Sequence, residues 1–282
     1  MCSILKYKDC IGRNFDYEVS YNEEIRFVEK GEFDNKYKVV GMATGFINEF
    51  PLLYDGMNEC GLCVGALAFE GNAVYFDEKE DKINIPSYEF PLKILGNFNN
   101  VDDVKEYLKD VSISNAQFSE ELPSSALHWF ISDKNKTIVV ESLKDGLTVH
   151  DNPNGVMTNN PPLPKQLAFS ESNLGDLGEY PEMEDEYHSR GVETYNLPGD
   201  YTSEGRFSRL TYLKQCLEGT EDIFDNVTEA FHLLSSAEQI YGVTHVDGKF
   251  EYTIYSVVYD MSDLKVFVKF YDKERLEYSL ND

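Results

Sequence analysis

Basic residues are scarce in this chain. Its 282 residues include 51 acidic and only 25 basic side chains, which gives a formal net charge of −26. A surface this negative repels phosphate backbones and anionic lipid headgroups, so we expect neither a nucleic-acid partner nor membrane insertion. Only six of the basic residues are arginines. Each arginine near a motif is therefore a candidate for binding or stabilising negative charge in a site.

The sequence also lacks a long apolar run and an export signal. No stretch approaches the roughly 20 apolar residues that a membrane-spanning helix needs. The N-terminal segment carries charged side chains from Lys6 onward and has no apolar core of a secretory signal. Five cysteines, an odd number, indicate reduced thiols rather than a disulfide framework. We therefore expect a cytoplasmic protein.

The pair Cys60-x-x-Cys63 resembles half of a zinc site. A tetrahedral site needs two more ligands, and no second CxxC or HxxxH follows. The interpretation we favour is that both thiols pack as small apolar side chains, so we expect no metal.

The chain shows no internal repeat, low-complexity tract or Pro/Ser-rich linker, so we expect a single domain over residues 1–282. Residues 168–196 are acidic, contain several glycines and are poorly periodic. Such a segment is typical of a long excursion, which would serve as an assembly arm or a lid.

Alternating apolar runs and turn residues predict extensive antiparallel sheet. Apolar spacing of three and four predicts helices between the strands. Helices outside two stacked antiparallel sheets would cover every apolar face, so the fold class is α+β. The predicted strands are Cys2–Tyr7, Ile11–Asp16, Glu24–Glu29, Leu127–Ser132, Thr137–Glu141, Leu147–His150, Tyr252–Tyr259 and Leu264–Tyr271. The predicted helices are Tyr88–Leu95, Val101–Val111, Phe207–Leu217 and Ile223–Leu234.

The dipeptide Met1-Cys2 carries the first chemical signal. A small second residue makes Met1 a good substrate for removal, after which Cys2 would hold both a thiol and a free α-amine. A free cysteine titrates at about 8.5 and an α-amine at about 7.7–8.0, so one residue can supply nucleophile and base. Many chains begin with Met-Cys by chance, so the dipeptide alone is weak evidence.

The segment Gly12-Arg13-Asn14-Phe15-Asp16 follows on the second predicted strand, where antiparallel pairing brings it beside Cys2. Arg13 near the thiol would favour the thiolate, and the carboxylate of Asp16 could orient the α-amine. Period-two alternation puts these two side chains on opposite faces, so a bulge or strand end would be needed to turn both toward the sulfur. The alternative is an ordinary charge pair on an edge strand.

Six segments between residue 1 and about residue 210 form an ordered set of motifs. They are Met1-Cys2, Gly12 to Asp16, Leu127-His128-Trp129-Phe130-Ile131, Ile138-Val139-Val140-Glu141, Val156-Met157-Thr158-Asn159-Asn160-Pro161, and Leu197-Pro198-Gly199-Asp200 followed by Arg206-Phe207. In their order and at close to their spacing, they resemble the choloylglycine hydrolase family, which contains bile salt hydrolases and penicillin V acylases. Each motif is moderately specific, and the ordered set is strong.

The resemblance implies the αββα sandwich of N-terminal nucleophile hydrolases and a homotetramer, with no cofactor. Cys2 would attack the amide carbonyl of a small amphipathic N-acyl substrate and form a thioester that water hydrolyses. Asp16 would bind the α-amine, and Arg13 and Arg206 would flank the thiolate. Asn159 would donate its side-chain N–H to the oxyanion, although Asn159-Asn160-Pro161 taken alone could be a plain turn.

One position departs from the family pattern. Ala68 stands where bile salt hydrolases tend to have Asn and penicillin V acylases Tyr, so only its backbone N–H could serve an oxyanion. Conjugated bile salts fit the family best as substrates, with penicillin V or another N-acyl amide as alternatives. A catalytically silent relative that binds an amphipathic ligand is a second hypothesis. The third is an unrelated β-rich protein with an incidental Met1-Cys2 and a metal held by Cys60 and Cys63.

Overall fold

Two antiparallel sheets form the centre of the molecule. The computed structural model describes residues 1–45, 50–179 and 190–281, and within these ranges each of the two sheets has seven strands. Sheet 1 contains β1 (Cys2–Tyr7), β2 (Cys10–Tyr17), β12 (Val156–Met157), β13 (Thr244–Val246), β14 (Lys249–Asp260), β15 (Lys265–Phe270) and β16 (Leu276–Ser279). Sheet 2 contains β3 (Glu24–Val28), β4 (Val39–Ala43), β5 (Leu53–Asn58), β6 (Cys63–Ala68), β9 (Leu127–Ser132), β10 (Thr137–Leu143) and β11 (Gly146–Asp151). A separate parallel pair consists of β7 (Ile83–Pro86) and β8 (Val111–Ser114).

Helices cover the outer faces of both sheets. The helices are α1 (Phe90–Asn97), α2 (Val101–Leu108), α3 (Leu163–Asn173), α4 (Ser203–Glu218) and α5 (Asn226–Ser235), with a short 3₁₀ turn at Val192–Thr194. Helix α1 packs on β5 and β6, and α2 contacts β11. Helices α4 and α5 pack on sheet 1, and α3 packs on α4. The α+β prediction of helices outside two stacked sheets is confirmed. None of the helices in the described ranges is both long and apolar enough to cross a bilayer.

Strand β1 is central to the arrangement. In sheet 1 the order is β12-β1-β2-β14-β15-β16, so both of its neighbours pair with it in antiparallel register. Across the interface, β1 contacts β6 of sheet 2. A Cβ on Gly65 would lie 2.4 Å from Cδ1 of Ile4, so a larger residue at this position would displace the end of the Ile4 side chain. The Ile4 side chain of β1 therefore packs directly over the backbone of β6 at Gly65.

Most of the predicted strands and helices are present with small shifts of their ends. The helix predicted over Val101–Val111 ends at Leu108, and Val111 begins β8 instead. Asn100 caps this helix as expected, because its side chain accepts a hydrogen bond from the backbone N–H of Asp103 at 2.8 Å.

The segment over residues 168–196 is more regular at its start than its composition indicated. Its first six residues belong to α3, and 180–189 lie outside the described residues. The prediction missed this helix because its buried face includes Gln166 and Ser170 beside Leu163, so no apolar periodicity marks it.

Candidate active site

Cys2 begins β1 at a buried position between the sheets. Its residue is 3% exposed and lies opposite Phe15 of β2. The sulfur is 3.8 Å from Nη2 of Arg13 and 3.9 Å from the backbone carbonyl oxygen of Asp16. The second predicted strand therefore does bring its motif to the thiol, through one side chain and one backbone group.

Arg13 is held by sheet 2. Its guanidinium forms a fully buried ion pair with Asp55 of β5, and it donates to the carbonyl oxygen of Ala66 at 2.7 Å and to the Tyr255 hydroxyl at 3.0 Å. Burial opposes its charge, but Tyr255 and the Asp55 carboxylate more than offset this and raise the pKa of Arg13. Since β2 lies between β1 and β14, the alternative of an edge-strand pair between Arg13 and Asp16 is wrong.

Asp55 was not recognised in the sequence as a site residue. Its carboxylate accepts hydrogen bonds from Arg13, from Tyr259 and, at 2.6 Å, from the Tyr255 hydroxyl. All of these groups are buried, and burial raises the pKa of both tyrosines well above the ordinary value. A lone Asp in a strand carries no motif. Only the side-chain contacts of β5 with β2 and β14 across the two sheets reveal it.

The Asp16 carboxylate is held by two residues from the C-terminal part of the chain. It accepts hydrogen bonds from the Thr253 hydroxyl at 2.6 Å and the Gln239 side-chain amide at 3.0 Å. The irregularity expected in β2 lies instead in β14, where the register shifts between Thr253 and Tyr255. Burial raises the pKa of Asp16, although the chain terminus and Arg206 act in the opposite direction.

The side-chain amide of Asn159 lies beside the first peptide of the chain. Its Oδ1 accepts from the backbone N–H of Cys2 at 2.7 Å and from Nη2 of Arg206 at 2.9 Å. Its Nδ2 donates to the carbonyl oxygen of Ala68 at 2.8 Å. Two donors face the oxygen and one acceptor faces the nitrogen, so the partners fix the orientation of the amide. One N–H of Nδ2 remains for a further acceptor.

Arg206 closes the site from the side of α4. Its Nη1 donates to the carbonyl oxygen of Cys2 and to the hydroxyl of Ser3, both at 2.6 Å. The side chain is fully buried, and burial lowers the pKa of Arg206, although Asp16 and Cys2 act against this. The guanidinium therefore clamps the backbone of β1 and the Asn159 amide together.

Ala68 lies at the end of β6, where its carbonyl oxygen accepts from Asn159. The next N–H, that of Phe69, donates to Ala126 and so points toward β9. Because successive backbone groups in a strand point to opposite sides, the Ala68 N–H points away from β9, toward the side where Asn159 lies. The backbone can thus present a donor although the side chain has none.

Met1 covers the amide nitrogen of Cys2. The α-ammonium group of Met1 lies 2.9 Å from the carbonyl oxygen of Asp16 and 2.5 Å from Oε2 of Glu251, a buried carboxylate. While this residue is present, the Cys2 nitrogen is part of a peptide bond and cannot act as a base. The arrangement becomes a nucleophile with its own base only after Met1 is removed.

The two thiols of the CxxC segment differ in their surroundings. Cys63 is buried, as expected, but Cys60 is exposed, so the expectation that both pack as apolar side chains is wrong for Cys60. Cys60 follows the end of β5 in the turn before β6, where its N–H donates to the Asn58 side chain at 3.0 Å. In the described ranges no group of three or more His, Cys, Asp or Glu side chains could hold a metal.

The site as a whole can perform acyl transfer. It combines a buried thiol, two arginines, an amide donor and a backbone N–H around the first residue of a strand. A nucleophile next to preorganised donors is the arrangement that stabilises a tetrahedral intermediate at a carbonyl carbon.

Known proteins share this chain's sequence and fold. The family model of linear amide C–N hydrolases, choloylglycine hydrolase family, matches residues 2–282. A bile salt hydrolase/transferase of Lactiplantibacillus plantarum is 39% identical over 302 aligned positions, covering 100% of this chain and 93% of the relative. One from Clostridium perfringens is 37% identical, covering 87% of this chain and 80% of the relative.

Solved structures agree with these sequence matches. The C2A mutant of the conjugated bile acid hydrolase from Clostridium perfringens superposes with a TM-score of 0.91 at 33% identity, covering 100% of this chain and 93% of that one. Penicillin V acylase from Agrobacterium tumefaciens gives a TM-score of 0.77 at 18% identity, covering 100% of this chain and 87% of that one, and shares the fold.

Proposed function

The chain belongs to the choloylglycine hydrolase family of linear amide C–N hydrolases, and we propose that it hydrolyses the amide bond of conjugated bile salts with Cys2 as nucleophile. The observation that carries the proposal is the convergence of Arg13, Asn159 and Arg206 on Cys2 from three separate elements. The relatives named as bile salt hydrolases, at 37% and 39% identity, support the choice of substrate.

The first step needs a free α-amine on Cys2. Hydrolysis of the Met1–Cys2 peptide bond supplies it, and the amine then accepts the thiol proton while the sulfur attacks the amide carbonyl carbon. Collapse of the tetrahedral intermediate breaks the C–N bond, and the departing amine takes a proton from the α-ammonium group. Water then attacks the resulting thioester by the same route and releases the acid.

The oxyanion of each tetrahedral intermediate needs donors that are already in place. The available N–H of Asn159 and the backbone N–H of Ala68 are the candidates, because the hydrogen bond from Asn159 to the Ala68 carbonyl fixes them side by side. A backbone donor makes an Asn or Tyr side chain at position 68 dispensable for the reaction.

The charged residues hold the nucleophile rather than the substrate. The guanidinium of Arg13 lies near the sulfur and favours the thiolate, while Arg206 fixes the Cys2 carbonyl. Asp16 lies one strand away, and its carboxylate orients the α-amine once Met1 is gone. These roles follow from position and charge.

A hydrolysis panel tests the proposal directly. The chain is incubated with glycine- and taurine-conjugated bile salts, penicillin V and N-acyl amino acids, and the released amine is quantified. We expect turnover of the bile salts and its loss in Cys2→Ala, with the fold unchanged in circular dichroism because the side chain is small. Turnover of penicillin V alone would show that the enzyme is a penicillin V acylase and not a bile salt hydrolase. Equal rates for wild type and Cys2→Ala would refute Cys2 as the nucleophile.

The lack of a side-chain donor at Ala68 favours a second hypothesis, a catalytically silent relative that binds an amphipathic ligand. Measurement of the intact mass distinguishes this hypothesis from an active enzyme. We expect the loss of one methionine and labelling of Cys2 by a thiol reagent. Retention of Met1 in the purified protein would contradict the mechanism, because the Cys2 nitrogen would remain an amide.

Assembly and location complete the proposal. Family resemblance suggests a homotetramer, and association of subunits is supported by exposed apolar side chains before and after α5, namely Ile223, Phe224, Ile240, Tyr241 and Val243. A cytoplasmic location is supported by five free thiols. Residues 168–196 are the candidate assembly arm or lid. Sedimentation of the chain with and without residues 176–196 measures whether the assembly depends on this segment.

A further inference from the structure

The sequence motifs around His128 and Glu141 take no part in the chemistry above, yet both side chains are completely buried. His128 lies on β9 and Glu141 on β10, at neighbouring positions of sheet 2. A buried imidazole and a buried carboxylate are costly to desolvate, so they are tolerated in a core only where other groups pair with them.

The imidazole contacts the peptide group that precedes the Asn159 side chain. Its Nε2 lies 2.9 Å from the carbonyl oxygen of Thr158. The N–H of the same peptide group, that of Asn159, donates to the Ser203 hydroxyl at 2.9 Å. Both polar ends of this peptide are therefore held, one from sheet 2 and one from α4.

The same ring contacts the strand that carries the second oxyanion donor. Phe69, which follows Ala68, stacks on the imidazole with ring centroids 4.2 Å apart and an angle of 7° between the planes. His128 therefore contacts Phe69, the neighbour of Ala68, and Thr158, the neighbour of Asn159.

Glu141 lies near the other nitrogen of the ring. Its Oε1 lies 3.5 Å from Nδ1 of His128 and accepts the backbone N–H of Leu163, the first residue of α3, at 2.9 Å. His150, on β11, lies 3.4 Å from Oε2 of the same carboxylate. Because a carbonyl oxygen can only accept, the hydrogen bond to Thr158 requires the imidazole to carry a proton on Nε2.

We propose that His128 is a positioning residue for the oxyanion site. Its Nε2–H holds the Thr158–Asn159 peptide and its ring face supports Phe69, so that the Asn159 amide and the Ala68 N–H keep the spacing a tetrahedral intermediate needs. The inference rests on the proposed function of the same site. It assigns a function to the motif around His128 without contact between this side chain and the substrate.

The test uses variants that separate the hydrogen bond from the packing. His128→Phe keeps a ring against Phe69 but cannot donate to Thr158. His128→Gln loses the ring but keeps a terminal amide that can donate. Glu141→Gln disturbs the same buried cluster while leaving the Nε2 donor in place, and it is the matched control for stability.

Loss of one oxyanion donor lowers the rate by roughly 100- to 1,000-fold, and a displaced donor should cost less. We expect His128→Phe to lower kcat by about 10- to 100-fold with KM changed by less than about 3-fold. His128→Gln should recover about 10-fold of that loss, and Glu141→Gln should keep kcat within about 3-fold of wild type. The rate of Cys2 alkylation should be the same in all variants, because the nucleophile is untouched.

Several results would overturn the proposal. An unchanged kcat in a folded His128→Phe variant would do so, as would equal losses in His128→Phe and Glu141→Gln or a parallel loss of Cys2 alkylation. Amide hydrogen exchange at Asn159 gives a reading without substrate, and it should be faster in His128→Phe than in Glu141→Gln. If wild type hydrolyses none of the panel, the proposed function fails, and the exchange rates still decide whether His128 holds the peptide.

Discussion

Basic side chains surround both ends of β1, but they are buried at one end and border an open cavity at the other. At the Cys2 end, Arg13 and Arg206 are buried, and each has at least three protein partners. At the Lys6 end, a cavity of about 650 Å³ is lined by six lysines. Four of these pair with single carboxylates, as in Lys105–Asp151, and those carboxylates are 40–74% exposed.

The two sets of cations differ in how firmly their partners hold them in place. Exposed pairs are screened by water and salt, so the four lysines in these pairs hold their partners only weakly. Buried guanidinium groups with several donors engaged cannot move without leaving polar atoms unpaired. In a chain with a net charge of −26, the positive charge beside Cys2 is a small part of the whole and is buried.

The largest effect expected from this comparison is on stability at Asp55. Asp55→Asn removes the carboxylate that pairs with Arg13 and accepts from Tyr255 and Tyr259. Breaking a buried pair from one side costs about 3–5 kcal/mol. We expect a loss of this size in the free energy of unfolding, measured by urea titration.

Asp151→Asn is the matched control at the other end of β1. Its partner Lys105 is 37% exposed and Asp151 is 74% exposed, so the loss should stay below about 1 kcal/mol. Equal losses for the two variants would show that burial does not distinguish the two ends.

The next effect is on the rate of hydrolysis. Asn159→Ala removes the amide that would donate to the oxyanion, and one such donor is worth about 3–4 kcal/mol of barrier. We expect kcat to fall by about 100- to 1,000-fold with a smaller change in KM, measured by amine release from a conjugated bile salt. The nearby Asn160 donates to the Glu70 carbonyl at 2.7 Å and is more exposed, so Asn160→Ala is the control. A rate loss in both variants would point to the turn and not to the donor.

The sequence predicted the fold and the strand pairing around Cys2 because alternation and turn residues are local signals. It placed Arg13 near the thiol because residues paired across two short strands share a face. It gave no sign of the contacts of Asp16 with Thr253 and Gln239, which lie more than 200 residues away.

Two further features had no local signal. Asp55 joins the site only because β5 of one sheet lies under β2 of the other. Helix α3 escaped detection because the side chain it buries toward the site is Gln166, which donates to the carbonyl of Asn159 at 2.5 Å. Where polar side chains are buried because they hold a site together, they interrupt the apolar pattern from which helices are predicted.

A smaller effect is expected in the pH dependence of stability. Burial raises the folded-state pKa of Asp16 above its usual 3.8, so the folded chain binds its proton more tightly than the unfolded chain. Stability contributed by the protonated form is present below pH 3.8 and is lost as the pH rises through the raised value. The stability of Asp16→Asn relative to wild type should therefore rise as the pH increases above 3.8, while activity is lost.

Asp225 provides the control of opposite sign. It caps α5 through Thr228, and these hydrogen bonds hold the pKa of Asp225 below 3.8. Asp225→Asn should lose stability relative to wild type above pH 3.8 and match it in acid, because the lowered pKa stabilises the folded state only when the group is ionised. Urea titrations from pH 3 to pH 8 measure both trends, and parallel curves for the two variants would contradict them.

The smallest effect on rate is expected at Lys6, on the same strand as Cys2. Lys6 donates to the carbonyl oxygens of Asp133 and Lys134, both at 2.7 Å, and burial lowers the pKa of Lys6. Lys6 is four positions after Cys2 in an extended strand, which places the two residues about 13 Å apart. The three residues between them in β1 carry no charge. Lys6→Met should cost about 1 kcal/mol of unfolding free energy and leave kcat within about 2-fold. A large fall in kcat would mean that the open, lysine-lined end of β1 governs the buried end, and the contrast between the two would no longer hold.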